Sequence, residues 1–165
     1  MLERFYPKEY KDSVYSLDFE KYYERGFRGI IFDIDNTIVP HGAAATDEAV
    51  ALFEKIRLTG FDTCAISNNQ EPRVKPFADA VGTKYVYDAH KPSTKNYIKA
   101  MELMNVSKNE TMFIGDQLFT DVWGANRTGI YSILVKPIHP KEEIQIVLKR
   151  YLERPILRHW QKKVR

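Results

Sequence analysis

A single cysteine, Cys64, stands in a chain of 165 residues, so no internal disulfide can form and a thiolate zinc site is excluded. That scarcity fits a reducing compartment and points to the cytoplasm. Cys64 lies within an apolar run and reads as a small core residue rather than a nucleophile. No apolar stretch approaches the ~20 residues of a membrane span. The opening Met1-Leu2-Glu3-Arg4-Phe5 lacks the continuous apolar core of a signal peptide. There is no internal repeat, no low-complexity linker, and no extended basic groove or interleaved stacking motif of the kind that binds nucleic acid. The four histidines, His41, His90, His139 and His159, have no metal-ligand spacing.

Net charge is also small, +3, but unevenly spread. Residues 141–165 hold eight Lys/Arg against three Glu, and the rest of the chain holds seventeen against nineteen acids. The basic end reads as a solvated helix face or as a surface for an anionic partner. After Pro155, Ile156, Leu157, Trp160 and Val164 interleave with Arg158, Lys162, Lys163 and Arg165. Such a segment either lies at a membrane interface or packs on the domain. The aromatic start, Phe5, Tyr6, Tyr10, Tyr15, Phe19, Tyr22 and Tyr23, is an added packing element or an interface.

What is present suffices for a folded core: 44% hydrophobic and 28% charged residues suit a globular domain spanning 1–165. Short apolar, β-rich runs at Arg28–Asp33, Asp62–Ser67, Lys84–Tyr87, Thr111–Gly115 and Tyr131–Val135 are bounded by Gly, Asp, Asn or Pro and read as strands. Helical patterns alternate with them. One is capped by Thr46 and ended by Gly60, one starts near Pro92-Ser93, and one runs from about Thr120 to Arg127 before Gly129. A last helix from Lys141 carries Ile144, Val147, Leu148, Tyr151 and Leu152 at helical spacing, a stripe expected to pack on the sheet, and Pro155 should stop or kink it. Strand–helix alternation predicts a three-layer α/β fold with a mostly parallel five-stranded sheet, a motif core over 28–135 and a C-terminal helix with basic tail over 141–165. In such sheets ligands gather outside the carboxyl ends of the strands.

Chemistry-bearing residues stand at those ends. Ile30-Ile31-Phe32-Asp33-Ile34-Asp35-Asn36-Thr37 ends the first strand with two carboxylates two residues apart, which strand alternation projects to one side. Acids that close are costly unless neutralised, and a hard cation such as magnesium, with manganese a chemical alternative, suits oxygen-only ligands. Ser67-Asn68-Asn69, His90-Lys91-Pro92 and Gly115-Asp116-Gln117-Leu118-Phe119-Thr120-Asp121 follow three further strands. Taken singly, these are a turn, a helix start, a loop and a surface charge. Together they supply an oxygen nucleophile, a hydroxyl, a fixed ammonium and further carboxylates, the parts that phosphoryl transfer needs.

In order and spacing these residues resemble the four motifs of the haloacid dehalogenase superfamily of aspartate-nucleophile phosphatases, with Asp-x-Asp-Asn-Thr similar to its type III, capless members. The overall pattern resembles the YqeG group, which is similar to mitochondrial phosphatidylglycerophosphatases. The resemblance implies that Asp33 is the nucleophile and forms an aspartyl-phosphate. Asp35 would be the general acid and base, its backbone carbonyl also ligating Mg2+. Ser67 and the Asn68 backbone would hold phosphate oxygens, and Lys91 would neutralise nucleophile and phosphoryl group. Asp116 would complete a magnesium shell made with Asp33 and Asp35, and Asp121 would ligate or support it.

The intervals Ile38–Ile66 and Asn68–His90 are consumed by a loop, a helix and a strand, and by a helix and a strand, leaving no room for a cap domain. An open site excludes water and selects small substrates less effectively; the resemblance implies a large substrate or a partner as the lid, and a small soluble phosphate would need a second copy over the mouth. The leading expectation is a magnesium-dependent phosphomonoester phosphatase, in its specific form a phosphatidylglycerophosphate phosphatase on the cytoplasmic membrane face. The alternatives are a phosphatase of proteins, nucleic-acid ends or small phosphoesters, and an interaction module switched by phosphate without turnover.

Overall fold

In the computed structural model, which describes residues 1–138 and 144–165, one parallel sheet is built from β1 (Glu9–Lys11), β2 (Gly29–Phe32), β3 (Asp62–Ile66), β4 (Lys84–Val86), β5 (Thr111–Gly115) and β6 (Tyr131–Val135). Their spatial order is β1-β6-β5-β2-β3-β4. The five expected strands are all present. The sixth, β1, comes from the N-terminal segment and pairs with the edge of β6, Glu9 opposite Ile133 and Lys11 opposite Val135.

The central strand β2 is buried on both faces, which is why it reads as an unbroken apolar run rather than an alternating one. Ile30 and Phe32 project into a core with Phe53, Ile56, Val74 and Phe77 from α2 (Asp47–Thr59) and α3 (Glu71–Val81). The short α1 (Phe19–Glu24) adds Phe19 and Tyr22 to the same side. Ile31 faces the other way, toward Tyr97, Met101 and Met104 of α4 (Lys95–Met104) and Ala125 of α5 (Trp123–Thr128). The period-2 side-chain alternation of one strand thus serves both helical layers. Thr46 caps α2 through its side chain at the Ala49 N–H, and Gly60 ends that helix in the left-handed region, φ 117°. The aromatic start resolves as packing: Phe5, Phe19 and Tyr22 are buried in this chain's own core.

Chain order reverses at β2. The chain steps from β2 outward to β3 and β4, then returns across to β5 and β6. The crevice between β2 and β5 is therefore the switch point at which ligands bind in open α/β sheets. Phe32 pairs with Ile114 there, and the Asp33 N–H donates to the Ile114 carbonyl at 3.0 Å, so the residues after both strands meet at one place.

Two expectations for the C-terminal helix are corrected. Helix α6 runs from Ile144 to Lys163, so Pro155 does not stop it; the expected start at Lys141 lies outside the described residues, as does His139. Pro155 is exposed, on the solvent side, where the carbonyl left without its helical donor can turn to water. The stripe Ile144, Val147, Leu148, Tyr151 and Leu152 does not pack on the sheet but is exposed. The inner face instead carries Arg150, Glu153, Ile156 and Leu157. The last two pack on Leu118, Val122, Leu134 and Tyr10, while both charged groups bond to the loop after β5. At 100° per residue, 150, 153 and 157 lie opposite 144, 148, 151 and 152, so burying that charged pair turns the apolar stripe outward.

Candidate active site

The carboxyl ends of β2 and β5 put three acids together. Asp33 follows β2, Asp116 follows β5, and Asp121 stands on a single π-helical turn, Leu118–Val122, before α5. Each offers an oxygen within 4.8 Å of the others, and all three are buried. Gly115 permits the approach: a Cβ there would lie 2.6 Å from an Asp121 carboxylate oxygen. The Asp121 side chain accepts the Asp116 and Gln117 N–H groups at 3.1 Å, closing the loop on itself.

Lys91 is brought to the cluster by the loop after β4. Its Nζ donates at 2.7 Å to both Asp33 Oδ1 and Asp121 Oδ1 and is shielded from solvent. Burial alone would depress this ammonium, but the Asp121 and Asp33 charges outweigh it and hold Lys91 well above the usual lysine range. Burial and the mutual repulsion of the acids raise Asp33 and push Asp116 well up. Thr37 Oγ1 lies 3.1 Å from Asp33 Oδ2 and 3.1 Å from Asp116 Oδ1. One hydroxyl proton serves only one of these oxygens, so the other calls for a proton or a cation.

The remaining expected residues ring this centre. Asp35 does not join the carboxylate cluster with its side chain. Its Oδ1 accepts from Arg73 Nη2 at 2.9 Å and from the Gly42 N–H at 2.7 Å, and its Oδ2 from Asn69 Nδ2 at 2.8 Å. Any part it takes in a metal shell is left to its backbone carbonyl. Ser67 is buried at the end of β3, and its hydroxyl oxygen accepts the Asn69 N–H at 3.1 Å. The Asn68 side chain accepts the Lys91 N–H at 2.7 Å, tying the two loops together. His90 is exposed and lies 3.4 Å from Asp88. Cys64 is buried, its thiol pushed up to about 12 by burial, as a core residue should be.

Several residues escaped the sequence reading. Thr37 and Asn69 sat inside recognised motifs without a role of their own. Arg73 lies on the first turn of α3, two residues after Glu71 opens it, where only the geometry shows its reach to Asp35. Arg150 and Glu153 had no signal at all within a basic helix. The Arg150 guanidinium bonds to the Asp116 carboxylate and carbonyl, and Glu153 accepts the Leu118 N–H at 2.9 Å.

Among the described residues, the clustered acids Asp33, Asp116 and Asp121, when all are ionised, outnumber by one the cations bonded to them, Lys91 and Arg150. An oxygen-only, carboxylate-rich donor set with that excess fits a hard divalent cation such as magnesium. A divalent cation held there would turn the centre positive, as a dianionic phosphoryl group requires.

Glu153 gives a pH prediction. Burial raises it, against the pull of Arg150 and the Phe119 and Leu118 N–H groups, from 4.5 to about 7. A carboxyl raised in the folded state favours the protonated form, so its contribution is lost as pH climbs through that window. Relative to the native chain, Glu153→Gln should gain about 3 kcal/mol of stability between acid pH and pH 8, read as the difference between urea unfolding curves taken across the range.

Comparison with known proteins bears on the family and the fold. A family model for haloacid dehalogenase-like hydrolases matches residues 41–129. The chain is 38% identical over 159 residues to a Bacillus subtilis protein named "Probable phosphatase YqeG", covering 95% of this chain and 92% of that one. It is 27% identical over 158 residues to "Phosphatidylglycerophosphate phosphatase 1, chloroplastic/mitochondrial" of Arabidopsis thaliana, of whose length the match covers 45%. Among solved structures, an uncharacterized protein from Listeria monocytogenes serotype 4b superposes with TM-score 0.55 at 18% identity over 72% of this chain and 86% of its own. A hypothetical protein from Xanthomonas campestris gives 0.55 at 15% identity, over 78% and 75%. At such identities these two likenesses speak for the fold alone.

Proposed function

The chain belongs to the haloacid dehalogenase-like hydrolase family, and from that premise we propose that it is a magnesium-dependent phosphomonoester phosphatase acting through an aspartyl-phosphate on Asp33. The observation that carries this reading is the buried Asp33–Lys91–Asp121 bridge beside Asp116, at the sheet's switch point.

Asp33, Asp116 and Asp121, with the Asp35 backbone carbonyl, would hold the magnesium ion. When bound, the ion supplies the positive charge that lets a dianionic phosphate approach a carboxylate. The chain's own groups do the rest. A carboxylate oxygen of Asp33 attacks phosphorus while the bond to the leaving oxygen breaks, and Asp35 gives that oxygen its proton. Asp35 then takes a proton from water, which attacks the same phosphorus, releasing inorganic phosphate and restoring Asp33. Lys91 balances the nucleophile before attack and the phosphoryl oxygens after it. Ser67 and the Asn68 backbone hold those oxygens. Arg73, Asn69 and the Gly42 N–H hold the Asp35 carboxylate at the mouth.

For the substrate we propose a lipid phosphomonoester, specifically phosphatidylglycerophosphate, handled from the cytoplasmic face of a membrane. Three observations support this. A relative bears that activity in its name. The intervals 38–66 and 68–90 hold only α2 with β3 and α3 with β4, so no inserted domain roofs the mouth against a bulky substrate. The described part of the C-terminal region is a basic helix, and among the described residues no helix is long and apolar enough to cross a membrane. Phosphate release from phosphatidylglycerophosphate in mixed vesicles with magnesium, beside a soluble generic phosphoester, tests it. Rapid lipid turnover is expected. Turnover of the soluble ester, phosphopeptides or terminal nucleotide phosphates but not the lipid would remove the lipid assignment. A stable phosphorylated protein with no release would favour a switch.

A further inference from the structure

We infer that the outer face of α6 is a docking surface for an anionic lipid bilayer, and that it sets the active site against that surface. The inference deepens the lipid-substrate reading and rests on it for the meaning, not the existence, of the contact.

Four large apolar side chains lie on that face: Ile144, Leu148, Tyr151 and Leu152, exposed by 74, 62, 71 and 64%. A helix normally turns such residues inward; here the inner face is committed to the Arg150 and Glu153 bonds and to Leu157. Charge names the occupant. From Ile144 to Lys163 the helix has six Lys/Arg and one acid, Glu153. Glu153 is buried, Arg150 is paired with Asp116 and Lys163 lies 3.4 Å from Glu3, which leaves Lys149, Arg154, Arg158 and Lys162 as exposed bases of the helix. At 100° per residue, Arg158 and Lys162 continue the same face about two and three turns beyond Tyr151. Apolar insertion beside exposed bases matches an interface of acyl chains and anionic headgroups, with Tyr151 at headgroup level. A second copy packed face to face would set these bases against their own kind.

The inner side of α6 gives the placement its use. Arg150 bonds Asp116 across the helix, so the docking face lies about one helix diameter, ~10 Å, from the carboxylate centre. A cavity of about 510 Å³ beside α6 has both Asp116 of that centre and Tyr151 of the outer face in its lining, with Leu134, Val135, Val147 and Arg150. A headgroup leaving the bilayer at α6 is therefore already beside the site. This also moves the expected apolar part of the membrane contact from Ile156 and Leu157, which are packed against the domain, to the turns before Pro155, while Arg158 and Lys162 beyond it supply bases.

The test is co-sedimentation of the full chain with phosphatidylcholine vesicles, with and without phosphatidylglycerol. It compares the native protein with Leu148→Glu/Leu152→Glu and Arg158→Glu/Lys162→Glu, each first shown to melt with the native protein. Binding to the anionic vesicles only, weakened at least about tenfold by each variant and by high salt, is the expected result. No sedimentation of the native chain at low salt overturns the inference, as does binding untouched by both variants. A native dimer that Leu148→Glu/Leu152→Glu converts to monomer, with vesicle binding unchanged, overturns it in favour of a second copy. Vesicle binding without lipid turnover upholds the docking face and defeats the substrate reading alone.

Discussion

Replacing Lys91 by methionine is expected to lower the unfolding free energy by roughly 3–5 kcal/mol, the cost of leaving a buried charge cluster without its partner. Its Nζ holds Asp33 and Asp121 at 2.7 Å each, and both lie out of solvent. The methionine fills similar volume, so the loss is electrostatic rather than a cavity. Its pH dependence follows from the sign of the shifts. Asp33 and Asp116 are already raised, chiefly by burial, and removing the ammonium raises Asp33 further. A carboxyl raised in the folded state stabilises it when protonated and ceases to do so as pH rises, so the deficit should be smaller at pH 5 than at pH 8. Magnesium should recover part of it by replacing the lost positive charge, with a gain that grows with concentration. Urea unfolding at both pH values, with and without magnesium, measures all three effects. A uniform deficit insensitive to pH and metal would mean that Lys91 acts through packing.

Asp33→Asn should reduce phosphate release by at least about a thousandfold while leaving the chain folded, because the amide is isosteric and lacks the nucleophilic oxygen. Stability should rise slightly if anything: the change removes one of three clustered carboxylates while Lys91 and Arg150 remain for Asp116 and Asp121. Loss of turnover with an unchanged or raised melting temperature separates a catalytic role from a structural one. Retained turnover would require another nucleophile.

The parts of this molecule legible in the sequence are those in which one local pattern decides the outcome. β2, β3, β5 and β6 are short apolar runs with punctuated ends, and their carboxyl ends carry the functional groups because the parallel topology collects them there. β1 was not legible: Glu9-Tyr10-Lys11 has no apolar run, and it joins the sheet through backbone bonds to the edge of β6. Periodicity alone does not choose the buried face of α6, because its first turns carry apolar residues on several sides, Ile144, Ile146, Val147 and Leu148. The long-range bonds of Arg150 and Glu153 to the loop after β5 chose it. For the same reason Arg150 could not be found beforehand: it meets Asp116 from 34 residues away. The tie from Arg73 to Asp35 spans 38. Asp35 itself was placed at the right strand end, but its company there depended on where the turn after Thr37 and the first turn of α3 converge.

The most direct test of the central claim is to quench the enzyme in acid during turnover of a phosphate-labelled substrate and map the labelled peptide. Label on Asp33, released by hydroxylamine and absent from Asp33→Asn, is the expected result. Label on another side chain, or full turnover by Asp33→Asn, would contradict it.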